Sequence, residues 1–205
     1  MREQVLDWLA ENVPTARIKH VLSVEQTAME LAQQHDLQIE QAAQAGLMHD
    51  LAKYFKPKKL LKIARAEGWV LDPVDQANPH LLHAEASAVV ARDRFGIQDK
   101  DILQAISNHT LGQPGMSPLS CIIFLADSLE PGRGNAPELE ALRRESQQNL
   151  HRAVWLTCDY KLKHLQQTQR LIHPRAIRTR NWFLQVSKGS KMQRNNRSIA
   201  GCLPA

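Results

Sequence analysis

The chain has 205 residues, of which 43% are hydrophobic and only 5% aromatic, and its formal net charge is +5. This is enough apolar material for one well-packed domain. The charged amino terminus lacks the apolar core of a signal peptide, and no stretch approaches the roughly 20 apolar residues of a membrane span. Cys121, Cys158 and Cys202 are scattered, and their spacing indicates neither a disulfide framework nor a thiolate zinc site. We therefore expect a cytoplasmic protein without a membrane partner.

An all-α fold is predicted, because apolar residues recur at helical spacing and β-branched runs are few. The predicted elements of the first half are a short helix ending near Pro14, a longer helix from Thr15, a helix over 39–53, a helix from Pro57 to Gly68 and a linker over 70–80. Those of the second half are helices over 80–95, 99–109 and 119–129, one or two helices within 138–171, and a last helix over 175–187.

The carboxyl-terminal segment differs in composition from the rest of the chain. Beyond Lys188 it is rich in Lys, Arg, Asn and Ser and has little to bury. We expect residues 1–187 to form the domain and residues 188–205 to form a disordered basic tail. The tail's charge leaves contact with nucleic acid open, but no aromatic residue follows Phe183 to stack on bases, so a nucleic-acid partner is not expected.

His49 and Asp50 stand side by side at the end of the third predicted helix. A buried carboxylate is costly unless a positive partner meets it, and a divalent metal with imidazole ligands is one such partner. Neighbours on a helix lie about 100° apart, so both side chains can reach a cation placed between their directions.

Four more ligand-type side chains lie on apolar helices or at their ends: His20, His83, His109 and Asp127. Asp127 follows about the most apolar run in the chain, where an unpaired carboxylate is hard to explain without a cation. Helical bundles build metal sites from single inward ligands on several helices. The other histidines with polar neighbours are predicted at the surface: His35, His151, His164 and His173.

This ordered set resembles the HD-domain phosphohydrolase superfamily and, more finely, its YqeK-type branch, the symmetrical bis(5′-nucleosyl)-tetraphosphatases. The resemblance covers roughly residues 5–185. The segments that carry it are Arg17-Ile18-Lys19-His20, His49-Asp50-Leu51-Ala52-Lys53, His83-Ala84-Glu85, His109-Thr110-Leu111-Gly112 and Ala126-Asp127-Ser128-Leu129-Glu130-Pro131-Gly132-Arg133. Ser128 stands where a lysine is common in that branch.

The resemblance implies a helical bundle that splits diadenosine tetraphosphate at its centre into two ADP molecules. It implies Asp50 and Lys53 as catalytic residues, and His83 and His109 at a second metal position or at the substrate phosphates. The implied ligands of the tighter metal are His20, His49, Asp50 and Asp127. The implied nucleotide-binding residues are Arg17, Lys53, Thr110 and Arg133.

The resemblance favours iron, divalent or mixed-valence, as the metal. Nitrogen and carboxylate ligands without thiolate suit iron or manganese, and they leave cobalt, nickel and zinc open. In metal-assisted hydrolysis an activated water attacks a phosphorus of the polyphosphate bridge while the ion offsets phosphate charge. A homodimer is also implied.

Two other functions stay open from the sequence. The chain could be an HD phosphohydrolase of other nucleotides or deoxynucleotides, or a metal-dependent nucleotide-binding regulator. The intact ligand set argues against the regulator, which would be expected to have lost ligands. The two enzymes differ in pocket shape, which the sequence does not reveal.

Overall fold

A computed structural model describes the backbone of residues 1–200 and the side chains of residues 1–189. All regular structure in residues 1–200 is helical, which confirms the all-α prediction. The α-helices are α1 (Arg2–Asn12), α2 (Thr15–Gln34), α3 (Ile39–Met48), α4 (Pro57–Ala66), α5 (Pro73–Ala77), α6 (His83–Phe95), α7 (Lys100–Asn108), α8 (Pro118–Leu129), α9 (Pro137–Gln148), α10 (Leu150–Gln167) and α11 (Pro174–Ala200). Two 3₁₀ helices cover Pro79–Leu82 and Pro131–Arg133. None of these helices combines the length and apolar character that crossing a membrane requires.

The helix α8 forms the centre of the core. Its residues from Leu119 to Ala126 are all buried, since α2, α7 and α10 pack around it. A helix that is apolar on every side is stable only when it is covered on every side. The next residue, Asp127, is thereby held at the edge of the interior.

Two predicted boundaries were wrong near the candidate ligands. The third helix ends at Met48 rather than near residue 53, and residues 49–54 form turns. The predicted linker over 70–80 contains the short helix α5, because the Asp72 side chain accepts a hydrogen bond from the Val74 N–H and caps it.

The last helix continues to Ala200, past the predicted end at residue 187. Its first part is anchored by Phe183, which is fully buried. Side chains from residue 190 onward and all of residues 201–205 lie outside the described residues. The disordered basic tail over 188–205 and the domain boundary before it therefore stay predictions.

The helices α2 and α3 approach each other closely at Gly46. A Cβ atom on this residue would lie 3.0 Å from the Cα atom of Glu25. Glycine is the residue that permits such an approach of two backbones. The close packing sets the end of α3, with His49 and Asp50, against the helix that carries His20.

Candidate metal centre

Four histidines direct their Nε2 atoms to one buried region between α2, α3, α6, α7 and α8. In three of them Nδ1 donates to the backbone carbonyl three residues earlier, at 2.7 Å for His49, 2.5 Å for His83 and 2.7 Å for His109. A carbonyl oxygen can only accept, so Nδ1 carries the proton and Nε2 presents a lone pair. Local backbone geometry thus prepares three imidazoles as ligands.

The fourth histidine, His20, is oriented by a carboxylate. Its Nδ1 donates to Glu130 Oε1 at 3.0 Å, while Glu130 Oε2 accepts from the Ser23 hydroxyl at 2.7 Å and from the Gly132 N–H at 2.5 Å. Burial alone raises the pKa of Glu130, but the hydrogen bonds from His20 and Ser23 outweigh it and the net shift is downward. An ionised Glu130 therefore fixes Nε2 of His20 as the free atom.

Glu130 stands in one of the segments that carry the family resemblance, but the sequence analysis assigned it no role, and the structure places it against His20. It directly follows the carboxyl end of α8, where the helix dipole disfavours a negative charge. An acidic residue at that place, three positions after Asp127, was the signal that it has a partner elsewhere in the fold.

Asp50 lies between two pairs of these histidines, and its side chain is only 1% exposed. Its Oδ2 atom is 3.4 Å from His49 Nε2 and 4.0 Å from His20 Nε2. Its Oδ1 atom is 3.3 Å from His83 Nε2 and 3.5 Å from His109 Nε2. The result is a first ligand group (His20, His49, Asp50) and a second ligand group (Asp50, His83, His109) that share one carboxylate.

Asp127 adjoins the first ligand group. Its Oδ1 atom lies 3.2 Å from His20 Nε2 and 3.8 Å from His49 Nε2. The same oxygen accepts a hydrogen bond from Arg133 Nη2 at 2.6 Å. Asp127 thus lies within 3.8 Å of both histidines of the first group, and its role as a fourth ligand stays a prediction from the family resemblance.

This region contains more hydrogen-bond acceptors than donors. Nε2 of His20, Nε2 of His49 and Oδ1 of Asp50 are buried and receive no hydrogen bond from the described residues. The Nε2 atoms of His83 and His109 face each other at 3.1 Å, although their Nδ1 contacts leave both as acceptors. Orphaned buried acceptors are costly, so this donor set fits a cation held by nitrogen and oxygen ligands.

At His109, proton binding is a poor substitute for such a cation. Burial lowers the pKa of His109 to about 4. Burial also lowers the pKa of His49, but the charge and hydrogen bond of Asp50 outweigh it and raise the net value. For Asp50, burial alone raises the pKa, whereas the neighbouring His49 and His109 bring it well below its usual range. Asp50 is therefore ionised and needs positive charge nearby.

Positive side chains surround the two ligand groups. Arg17 Nη1 lies 3.0 Å from Asp50 Oδ2, and Lys53 Nζ lies 3.0 Å from His83 Nε2 and 3.9 Å from Asp50 Oδ1. Together with Thr110 and Arg133, these residues line a cleft of about 410 Å³. The structure thus brings all four predicted nucleotide-binding residues to one cleft that also contains Asp127.

The cleft includes a lysine that the sequence analysis passed over. Lys161 lies on α10, and its Nζ atom donates to the Ser128 hydroxyl oxygen at 3.3 Å. A lysine nitrogen therefore lies next to position 128, although it comes from a different helix. Nothing in the local sequence around Lys161 points to this contact, because it exists only once α10 packs on α8.

One histidine predicted at the surface is buried instead. His173 is 7% exposed, and its Nε2 atom lies 3.4 Å from Asp75 Oδ1. The prediction was wrong because it was based on the polar neighbours of His173 in the sequence, whereas in the fold the carboxylate of Asp75 on α5 packs against this residue. His164 is exposed, as predicted.

Comparison with known proteins agrees with this geometry. The HD domain model matches residues 17–132, which include every member of both ligand groups and Asp127. Two proteins named "Bis(5'-nucleosyl)-tetraphosphatase, symmetrical" are 32% identical to the chain: one from Bacillus subtilis over 186 residues and one from Halalkalibacterium halodurans over 187 residues. Each match covers 91% of this chain and 99% of the relative.

A solved structure is also similar. It is described as a predicted HD superfamily hydrolase involved in NAD metabolism, from Clostridium acetobutylicum. It matches with a TM-score of 0.86 and 35% sequence identity, over 90% of this chain and 97% of that chain.

Proposed function

We propose that this chain, which belongs to the HD-domain family and within it to the symmetrical bis(5′-nucleosyl)-tetraphosphatases, hydrolyses diadenosine tetraphosphate at its centre to two ADP molecules. The observation that carries the proposal is the pair of buried ligand groups sharing Asp50, beside a cleft lined by positive side chains. The names of two relatives matched over nearly their full length support the choice of substrate.

We propose that His20, His49, Asp50 and Asp127 hold the tighter ion, and that His83 and His109 face a second ion or the substrate phosphates. A bound divalent ion supplies the chemistry of metal-assisted hydrolysis, lowering the pKa of a water and offsetting phosphate charge. We propose iron for this ion on the strength of the family resemblance. The donor set also suits manganese, cobalt, nickel and zinc.

The protein's own residues then have distinct tasks. Asp50 Oδ1 is an unused acceptor, so it can take a hydrogen bond from the attacking water and orient it. Arg17 and Arg133 offset the charge of the polyphosphate, for which their planar forks are suited. Lys53, with a side chain 35% exposed, reaches the cleft as a third positive charge.

We also propose the finer features that the resemblance implies. The hydrolase unit would span residues 1–187, act in the cytoplasm and form a homodimer. Size measurement of the purified full chain by light scattering tests the dimer independently of the chemistry.

A product assay tests the proposed reaction. Protein loaded in turn with iron, manganese, cobalt, nickel or zinc is given diadenosine tetraphosphate, and the nucleotides are separated by ion-exchange chromatography. We expect ADP as the sole product and no turnover after chelation. Recovery of ATP with AMP would contradict the symmetrical cleavage, and absence of turnover with all five metals would contradict the proposal as a whole.

The same assay distinguishes this proposal from the two alternatives, a phosphohydrolase of other nucleotides and a nucleotide-binding regulator. A panel of deoxynucleoside diphosphates and triphosphates is run beside diadenosine tetraphosphate under identical conditions. A higher kcat/KM for any member of the panel would favour a phosphohydrolase of other nucleotides. Binding of these ligands without turnover would favour the regulator.

A further inference from the structure

Lys161 differs from the other positive side chains of the cleft in forming no ion pair with the described carboxylates. Arg17 pairs with Asp50, Arg133 pairs with Asp127, and Lys53 lies near Asp50. In the described part of the chain, the hydrogen bonds of Lys161 Nζ go only to the Thr110 carbonyl at 3.2 Å and to the Ser128 hydroxyl at 3.3 Å. Its charge is therefore not compensated by an ion pair with any carboxylate between residues 1 and 189.

The surroundings of Lys161 make this charge costly. The side chain is partly buried, and a cation–π contact of its Nζ atom, 4.4 Å from the centre of the Phe124 ring, offsets only part of the cost of burial. Burial lowers the pKa of Lys161. A partly buried cation without an ion pair is unfavourable, and a ligand that brings an anionic oxygen reduces that cost.

The geometry leaves Lys161 one donor for a ligand. An ammonium group has three N–H donors, and the Thr110 and Ser128 contacts use two of them. The Ser128 hydroxyl donates its own hydrogen to the Phe124 carbonyl at 2.7 Å, so its oxygen accepts from Lys161 and holds the amino group in place. The third N–H is unassigned within the described residues.

Lys161 also lies at the boundary of two cavities. It lines the polar cleft of about 410 Å³ that holds Asp127, and it lines a neighbouring cavity of about 270 Å³. The second cavity is mainly apolar, with walls that include Leu81, Leu111 and Phe124. A ligand with a ring in the apolar cavity and a chain of phosphates in the polar cleft would lie beside Lys161, which stands at the boundary of the two.

We propose that Lys161 binds an oxygen of the phosphate attached to a nucleoside, and so anchors one nucleotide half of the substrate with its nucleoside in the apolar cavity. This inference rests on the proposed function for the identity of the substrate. It adds a residue from α10, outside the 17–132 segment matched by the HD domain model, to the substrate-binding set.

Ligand binding to the metal-loaded full-length protein tests the proposal. Titration calorimetry is used to compare ADP and adenosine as probes for the wild type, Lys161→Met and Lys161→Arg. We expect ADP to bind Lys161→Met about tenfold to a hundredfold more weakly, the usual loss for one hydrogen bond to a charged group. Adenosine should bind as to the wild type, and Lys161→Arg should recover part of the ADP affinity.

A matched control lies two residues away on the same helix. Lys163 is exposed and lines neither cavity, so Lys163→Met removes the same charge without touching the cleft. This variant should bind ADP as the wild type does. With diadenosine tetraphosphate, Lys161→Met should raise KM more than it lowers kcat, as expected when binding is lost equally in the ground and transition states.

Three outcomes would overturn the proposal. They are ADP affinity of Lys161→Met within twofold of the wild type, an equal loss of adenosine and ADP binding, or the same ADP loss in Lys163→Met. If Lys161→Met does not fold, as judged by circular dichroism, Lys161→Gln replaces it. A wild type that binds ADP but does not cleave diadenosine tetraphosphate would refute the proposed function, while the binding series would still decide the role of Lys161.

Discussion

The two ligand groups share Asp50 but differ in what lies next to them. The first group adjoins a second carboxylate, Asp127, and its His20 is backed by Glu130. The histidines of the second group have only Asp50 within ion-pair distance among the described carboxylates, and Lys53 Nζ lies 3.0 Å from His83. Acidic surroundings favour a tightly held cation, whereas a nearby lysine favours an anion. The difference supports the proposal that the first group holds the tighter metal and that the second group faces a second ion or the substrate phosphates.

Removing the shared carboxylate should have the largest effect, since it breaks both groups at once. We expect Asp50→Asn to lower kcat/KM for diadenosine tetraphosphate by about 10³-fold or more, as for an essential member of a catalytic unit. Metal content measured by elemental analysis should fall as well. The exposed carboxylate of Asp7 supplies the control variant Asp7→Asn, which should behave as the wild type. Near-normal turnover of Asp50→Asn would refute its role in both groups.

Asp127→Ala should damage the first group alone. We expect it to strip the tighter metal and to lower activity by about 10²- to 10³-fold, because two histidines and Asp50 hold the ion less well than four ligands. Helical content should be largely retained in circular dichroism. Unchanged metal content by elemental analysis would show that Asp127 is not a ligand.

His83→Gln should separate the second group from the first. We expect kcat/KM to fall about 10²-fold, the scale on which positioned polar groups contribute. Roughly the wild-type amount of the tighter metal should remain bound, since His83 belongs only to the second group. If His83→Gln loses as much metal as Asp127→Ala, the two groups do not differ in the way that their surroundings suggest.

Glu130→Gln should weaken the first group without removing a ligand. Loss of the carboxylate behind His20 is expected to lower metal affinity by about 10- to 100-fold, the usual effect of a residue that orients a ligand. Competition with a chelator measures this affinity. The exposed Glu138 gives the control Glu138→Gln, for which no change is expected. Equal affinities for both variants would contradict the orienting role of Glu130.

Deletion of residues 188–205 should have the smallest effect. Lys188 and Gly189 are exposed, and a Cβ on Gly189 would meet no atom within 4 Å. We expect kcat/KM to stay within about twofold of the full chain, as for other surface changes. A large loss of turnover in the truncated protein would show that the tail shapes the site or the assembly.

The sequence predicted those parts of the molecule that depend on local pattern. The bounds of α8 followed from its proline start and its apolar run, and the ligand types followed from an ordered set of short motifs. The sequence did not predict contacts between segments that are far apart in the chain. Glu130 meets His20 across 110 residues, and Lys161 meets Thr110 across 51 residues. Such pairs are created by helix packing, which no single-sequence spacing encodes.

The early end of α3 is a second feature that the local sequence did not predict. Helix-favouring residues surround His49, so propensity alone extended the helix to residue 53. In the structure the His49 side chain donates to the Gly46 carbonyl, and Ala52 N–H donates to the Ser87 hydroxyl on α6. A local side-chain contact and a tertiary partner on α6 therefore replace helical hydrogen bonds after Met48, where the chain turns and His49 and Asp50 are buried.

The unpaired lone pairs at the centre also affect how the chain folds. His20, His49 and Asp127 come from segments far apart in the sequence, so the unfolded chain presents no comparable site. An ion that binds only the folded form stabilises it by about 2.7 kcal/mol when its free concentration is 100 times its dissociation constant. A bound metal would then stabilise the folded protein in addition to taking part in the reaction. A cell short of this metal would lose folded protein to degradation in addition to losing turnover.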